Sequence, residues 1–417
     1  MDKHSRKSLR YIFGMNSIFL GNNYLWISFE SLFLPYLIEL ILPVNLQSIY
    51  LGVIAFSGII LGILFNLLSG IITDNFQSKI GRRRPMILLG SIITLISLLL
   101  FITIKISFIL VVSVYILIEI GSNIAYGSYL PLIRDVIPDY QRGASSGISG
   151  FFTLVGTAAG FGISGLLLGI NQLIPAVIVI IVAIAISTAT TVNTIKGEDV
   201  RTNADRFLKH FSRIFKKITN VKRFKWMFIS NFFIILGSSG LTFFEFYYFR
   251  YVLDLKDSAI YVAIAGLVIL AISAVSTVFI GILSDKIGKE IFILVFPLIG
   301  GISIFMIAYI NNFYTFLVLG SLIGISFGNY FSLSNSFISY IVPGGNPGKF
   351  MALFSMSTGL GSAISPLIYG LILFLLKNQS RVAYGKLFEI SSIFFFIGFI
   401  LIFFRVVNAR NILKKQM

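Results

Sequence analysis

Gly70-Ile-Ile-Thr-Asp74-Asn75-Phe-Gln-Ser-Lys-Ile-Gly81-Arg82-Arg83-Arg84-Pro85 is a charged island in a very apolar chain. Its outline returns as Gly281-Ile-Leu-Ser-Asp285-Lys286-Ile-Gly288-Lys289. Asp74 and Asp285 lie 211 residues apart, about half of the 417-residue sequence. Each island ends one long hydrophobic segment and starts the next. A second spacing repeats with it. Asn16, Asn23 and Glu30 stand seven apart, and Asn231, Ser238 and Glu245 repeat that spacing 215 residues later. The chain therefore reads as a duplicated half.

Composition places both halves in a membrane. The sequence is 57% hydrophobic and 12% charged, with a mean hydropathy of +0.94. So few charges cannot cover so much apolar surface in water. Roughly 20 apolar residues cross a bilayer as helix, and the chain offers that length many times over. There is no Cys, which removes disulfides and thiolate metal sites. His4 and His210 fall in polar segments, so no metal or other cofactor is expected. The basic start, Met1 to Arg10, precedes an apolar stretch without a clear cleavage site, and it reads as a retained first span.

Twelve spans are expected, near 11–40, 49–73, 86–104, 108–132, 144–169, 173–195, 226–249, 259–283, 291–310, 314–341, 350–376 and 387–406. They group as an N-terminal bundle (1–195), a basic linker (196–225) and a C-terminal bundle (226–417). The linker carries Arg206, Lys209, Arg213, Lys216 and Lys217, and reads equally as a helix on the membrane surface or a solvated connection. With both termini cytoplasmic, 27 of the 33 Lys and Arg lie on the inner side, as the positive-inside rule requires. The charge of +17 is thus a topology signal, with some attraction to anionic lipid, and it calls for no nucleic acid. The expected state is a multi-pass monomer in the cell membrane.

Polar stripes mark four spans. Two heptads keep residues on nearly one helix face, so the first and seventh spans each carry a stripe ending in Glu30 or Glu245. The fourth has Glu119, Asn123 and Tyr126 at i, i+4, i+7, and the tenth has Asn329, Ser332 and Ser336 at i, i+3, i+7. Such stripes must face protein or a water-filled cavity, because lipid cannot satisfy them. Small residues crowd the fifth span (Gly147, Gly150, Gly156, Gly160, Gly162, Gly165) and the eleventh (Gly359, Gly361, Ser362, Ser365, Gly370), which lets helices approach closely.

The duplicated loop and the twelve spans resemble the major facilitator superfamily. That resemblance implies an all-α membrane protein of two pseudo-symmetric six-helix bundles related by an axis along the membrane normal. It implies that spans one, four, seven and ten, the striped ones, line a central pathway, and that spans five and eleven pack against the other half. It further implies a cytoplasmic latch of ion pairs built from Asp74, Arg82, Arg84, Arg134, Asp135, Asp285 and Lys289. Arg142 and Lys349 are close enough in the plan to join it. Arg83 reads equally well as a topology determinant.

The run Leu34-Pro35-Tyr36-Leu37-Ile38-Glu39-Leu40 and the lengthened loop from Asp74 to Pro85 are similar to those of sucrose transporters and the glycoside–pentoside–hexuronide symporters. What this implies is a cation-coupled importer of sugars or glycosides, mostly proton-driven, with sodium left open. The alternative is a drug or metabolite exporter working by proton antiport. Such exporters usually carry a Gly-Pro pair in the fifth span, where this chain has Gly156-Thr-Ala-Ala-Gly160-Phe161. The Arg that many family members place four residues before a Gly in the fourth span is Leu117 here, ahead of Gly121. No nucleophile–base pair or phosphate loop points to an enzyme.

Coupling and recognition follow from the buried polar residues. A carboxyl in a low-dielectric site is poorly solvated when charged, so it can take a proton near neutral pH and release it as the cavity opens. Glu30, Glu119 and Glu245 are the candidate proton-coupling groups, and no basic residue falls mid-span. Each can equally be a permanently neutral carboxyl hydrogen-bonded to a neighbour, and Glu245 can instead pair with Arg250. Trp26 is the candidate to stack on a sugar ring, with Asn23, Asn123, Tyr126, Asn329 and Asn335 as hydrogen-bond partners, although packing is the commoner use of an aromatic. Trp226 reads as an interface anchor.

Overall fold

The computed structural model of the chain describes residues 6–75, 78, 80–103, 106–195, 221–341, 347–376 and 380–407. Among these, twelve helices are long and apolar enough to cross a membrane. We number them α1 (Leu9–Ile41), α2 (Val44–Thr73), α3 (Arg84–Thr103), α4 (Phe108–Ile133), α5 (Asp139–Gly169) and α6 (Leu173–Thr194). The second six are α7 (Lys222–Val252), α8 (Ser258–Ile287), α9 (Lys289–Ile307), α10 (Phe313–Ile338), α11 (Phe350–Leu375) and α12 (Arg381–Val406). Every expected span is present. Several run longer than their apolar stretch, because a helix continues while its end residues can reach water. Lys222, Arg223 and Lys225 extend α7 in this way, their long side chains carrying the charge outward. Trp226 lies in the same turn, its ring 5.1 Å from the Arg405 guanidinium of α12.

The two halves repeat their packing. In the first, α3 packs on α4 and α6, and α1 on α5 and α6; in the second, α9 packs on α10 and α12, and α7 on α11 and α12. The chain divides into two compact units, the first from Met1–Leu42 with Ser57–Phe207, the second from Pro43–Phe56 with Leu208–Met417. The start of α2, Pro43–Phe56, groups with the second unit. Gly52, in the Pro43–Phe56 segment, lies against Pro366 and Gly370 of α11, where a side chain would meet backbone.

Some of the small residues of α5 and α11 are explained inside each unit, while Gly370 of α11 lies against Ser48 and Gly52 of α2. A side chain at Gly156 or Gly160 would strike α1 at Leu20 or Ile27, and one at Gly361 would meet Ile235 on α7. Asn16 and Asn231, the first members of the two stripes, are buried braces at these same seams. Asn16 donates to Ser145 of α5 (3.1 Å) and accepts from Tyr129 of α4 (2.8 Å). Asn231 donates to Ser357 (2.7 Å) and Thr358 (3.0 Å) of α11. Burying these amides is tolerated because their N–H groups find partners, although Asn231 Oδ1 is shielded without one.

The duplicated loop has one shared backbone requirement. Gly81 and Gly288 adopt φ of +104° and +112°, values that side-chain-bearing residues rarely take. The chain leaves one helix and enters the next at these residues, which explains why glycine stands at both. Arg206, Lys209, Arg213, Lys216 and Lys217 of the linker, with His4 and His210, lie outside the described residues.

Candidate functional site

The first unit gathers its polar residues around Glu119. Asn123, one turn along α4, donates to the Glu119 backbone carbonyl (3.0 Å) and to its carboxyl Oε2 (3.2 Å). Asn66, from α2, donates to Asn123 Oδ1 at 3.3 Å and extends the chain of amides. Gly58 and Gly62 make room for it. A Cβ at Gly62 would lie 2.6 Å from Asn123 Nδ2 and 2.8 Å from Glu119 Oε2. Tyr115 stands beside the Glu119 carboxyl, one turn earlier on α4. Sequence reasoning missed Asn66, although Gly58, Gly62 and Asn66 at i, i+4, i+8 form one small and polar face on α2.

Glu30 reaches this group from α1, close enough for its charge to act on Glu119. It sits on a widened turn, Phe29–Phe33, in which the Leu34 N–H donates to the Phe29 carbonyl. Pro35 accounts for the widening. It has no N–H to give, and its ring would press on the carbonyl four residues back. The Pro-Tyr run therefore shapes the backbone that carries Glu30. Trp26 lies one turn before it, donating Nε1–H to Ser122 Oγ at 3.2 Å, and its ring meets Tyr126 edge-on at 5.3 Å. Among the described residues, no Lys, Arg or His pairs with either carboxyl.

Of the candidate binding residues, Trp26, Asn123 and Tyr126 come together with Glu119 and Glu30. Asn23 turns aside, donating to the Phe19 carbonyl (2.8 Å) and Thr153 of α5 (3.4 Å). Asn329 belongs to the second unit, where its amide donates to Ser276 (3.0 Å) and the Ile325 carbonyl (2.7 Å), while Oδ1 is shielded without a partner. Asn335 is half-buried further along α10.

The charged cluster of the first loop is centred on a residue the sequence left open. Arg83 is only 5% exposed and grips Asp135 with Nη2 (2.7 Å) and Nε (3.1 Å). A side chain that merely set topology would be solvated, so the Arg83 pair is structural. Arg82 stands 3.9 Å from the same carboxylate, and Arg84 donates to the Ile80 carbonyl at 3.0 Å. In the second half Lys289 lies 3.6 Å from Asp285 and 2.5 Å from Ser336 Oγ, and Asp285 is 72% exposed. Arg142 pairs with Asp139 at 2.7 Å. The side chains of Asp74, Arg134 and Lys349 lie outside the described ones.

Glu245 has a different setting. It lines a cavity of about 280 Å³ within the second unit, between α7, α8, α9, α10 and α12. Its Oε1 is shielded from solvent and has no hydrogen-bond partner. The alternative of pairing with Arg250 is not seen: the Arg250 guanidinium donates to the Lys256 carbonyl at 2.6 Å, and Glu245 Oε1 has no partner. The widened turn Tyr248–Val252 begins just after Glu245 and points Arg250 away from it.

Comparison with known proteins agrees with this architecture. The sequence profile of the family described as MFS/sugar transport protein matches residues 14–409. An uncharacterized MFS-type transporter of Methanocaldococcus jannaschii is 26% identical over 129 residues, 31% of this chain and 30% of that protein's length. Three solved structures share the fold. A bacterial homolog of the human lysosomal transporter Spinster, inward-facing and unoccupied, superimposes with a TM-score of 0.72 at 16% identity, covering 98% of this chain and 99% of that one. A nucleoside transporter gives 0.70 at 12% identity, over 94% and 99%. A D-xylose–proton symporter gives 0.68 at 14% identity, over 93% and 96%.

Proposed function

This chain belongs to the MFS/sugar transport protein family, and from that premise we propose that it imports a sugar or glycoside together with protons by alternating access. Membership makes it a secondary transporter and not an enzyme. The observation that carries the finer reading is the contact of Trp26 with Ser122 and Tyr126 of α4, the helix that carries Glu119 and Asn123. An indole one turn from a carboxyl, with a chain of amides on the facing helix, suits a ligand that has a flat apolar face and many hydroxyls. That description fits a pyranose. The family's description and the shared fold of a D-xylose–proton symporter support the same substrate class.

Coupling is assigned to Glu119 and Glu30. Two carboxyls that act on each other do not readily carry charge together, so one proton shared between them is the favoured occupancy. Among the described residues, no fixed cation competes for that proton. Asn123 donates to Glu119, and a sugar hydroxyl that displaced this amide would tie proton and substrate occupancy together. Arg83 and Asp135 act as the cytoplasmic latch in this scheme. The charge asymmetry of the loops supports their placement on the inner side, with both termini, in a cell membrane.

Sugar-dependent proton movement tests the reading. With purified protein in liposomes and a panel of mono- and disaccharides outside, the external medium should turn alkaline with at least one sugar. Silence toward every sugar would remove the substrate class, and substrate-driven acidification would favour an exporter.

A further inference from the structure

The cavity around Glu245 belongs to the second unit alone and is not used in the scheme above. Its lining holds no Lys, Arg or His. Glu245 Oε1 and the Tyr248 hydroxyl are both shielded and without partners. The serines that line it are engaged elsewhere. Ser238 donates to the Ile235 carbonyl at 3.2 Å, and Ser239 hydrogen-bonds Ser362 at 3.0 Å. Among the described lining residues, Glu245 Oε1 and the Tyr248 hydroxyl are the fully shielded polar atoms without a partner.

The walls are aromatic. The Tyr248 ring stands 5.7 Å from Phe316, 5.6 Å from Tyr384 and 5.1 Å from Phe388, and Phe327 completes the lining from α10. An ionised carboxylate in such surroundings needs a positive partner, because apolar walls do not replace its hydration. Among the described residues no Lys, Arg or His lines the cavity, and Arg381 is close enough for its charge to act on Tyr248 at its edge. A hard metal cation takes about six oxygen ligands, whereas these walls are mostly aromatic and aliphatic. An organic ammonium ion fits better, since its charge meets the carboxylate while its carbon substituents contact ring faces that attract cations. A volume near 280 Å³ limits the ligand to a small one, just under the roughly 300–1,000 Å³ of typical small-molecule sites.

We propose that this cavity binds a small organic ammonium ion, with Glu245 as its counter-charge and Tyr248, Phe316 and Phe388 as its aromatic walls. The inference goes beyond the sugar reading and stands without it. An alkylamine and the ammonium group of an amino sugar share the recognised chemistry.

The test is calorimetric binding to the full-length protein in detergent. The probes are tetramethylammonium, 2-phenylethylammonium and protonated glucosamine, with 2-phenylethanol and glucose as neutral partners. At least one cation should bind saturably, and at least tenfold more tightly than its neutral partner. Which cation binds separates the amine from the amino sugar. Glu245→Gln should weaken that binding tenfold or more at an unchanged melting temperature, and Tyr248→Phe should weaken it severalfold. Glu119→Gln should leave it unaltered. If Glu245→Gln fails to fold, Tyr248→Phe and the charged-against-neutral pairs on the native protein still decide. Binding of no cation, equal binding of a neutral partner, or equal affinity in native and substituted proteins would overturn the proposal.

Discussion

Glu30 and Glu245 are repeat partners, 215 residues apart on α1 and α7, yet they meet different chemistry. Glu30 faces a second carboxyl, Glu119, with Trp26 one turn away. Glu245 faces a ring-walled cavity in which its Oε1 has no partner. The loop motifs diverge in the same sense. Arg83 is buried against Asp135, whereas Lys289 holds an Asp285 that is largely in water. Duplication has kept where the charges sit and the glycines that turn the backbone. Neighbours drawn from other helices decide what each charge does.

The sharpest contrast to break is between the two loop ion pairs. Arg83→Ala leaves Asp135 without its close partner, a change that costs about 3–5 kcal/mol when a buried pair is opened. Thermal melting in detergent should show that loss as a large downward shift. Gly62→Ala comes next, because its new Cβ falls within 2.8 Å of both Asn123 Nδ2 and Glu119 Oε2. Overpacking of this kind costs roughly 1–3 kcal/mol, and sugar uptake should fall more than melting does. The same change at Gly281 meets nothing within 4 Å and should be silent in both measurements.

Trp26→Phe keeps an aromatic ring but removes the N–H that reaches Ser122. A lost neutral hydrogen bond is worth about 1 kcal/mol, so apparent sugar affinity should drop severalfold with the maximal rate nearly kept. Lys289→Ala should be the mildest. An exposed ion pair contributes between about 0 and 1 kcal/mol, and melting should hardly move. An equal shift for Arg83→Ala and Lys289→Ala would erase the difference between the halves.

Much of the fold was legible because a bilayer imposes simple rules. Twelve apolar stretches, the repeated Asp–Gly loops and the striped helices could be read from spacing alone. Partnership was harder to read. Asn16 and Asn231 share their stripes with Glu30 and Glu245, yet they brace α5 and α11, since a heptad gives a face and not its neighbour. Arg83 could not be told from Arg82 and Arg84, because burial depends on where the end of α4 places Asp135. The cavity was hidden among 42 Phe and 18 Tyr, as its rings come from α7, α10 and α12. Pro35 was read as a family mark, and its effect on the turn under Glu30 emerges only with the backbone hydrogen bonds.

The central claim is that Glu119 couples a proton to sugar movement, and one substitution separates coupling from binding. Glu119→Gln in liposomes should lose proton-driven accumulation of the sugar, a fall of about a hundredfold or more if a proton-transfer group is removed. Sugar counterflow, which needs binding and alternation without net proton release, should persist within severalfold. Proton-driven accumulation that survives Glu119→Gln would contradict the account, as would the loss of both activities in a normally folded protein.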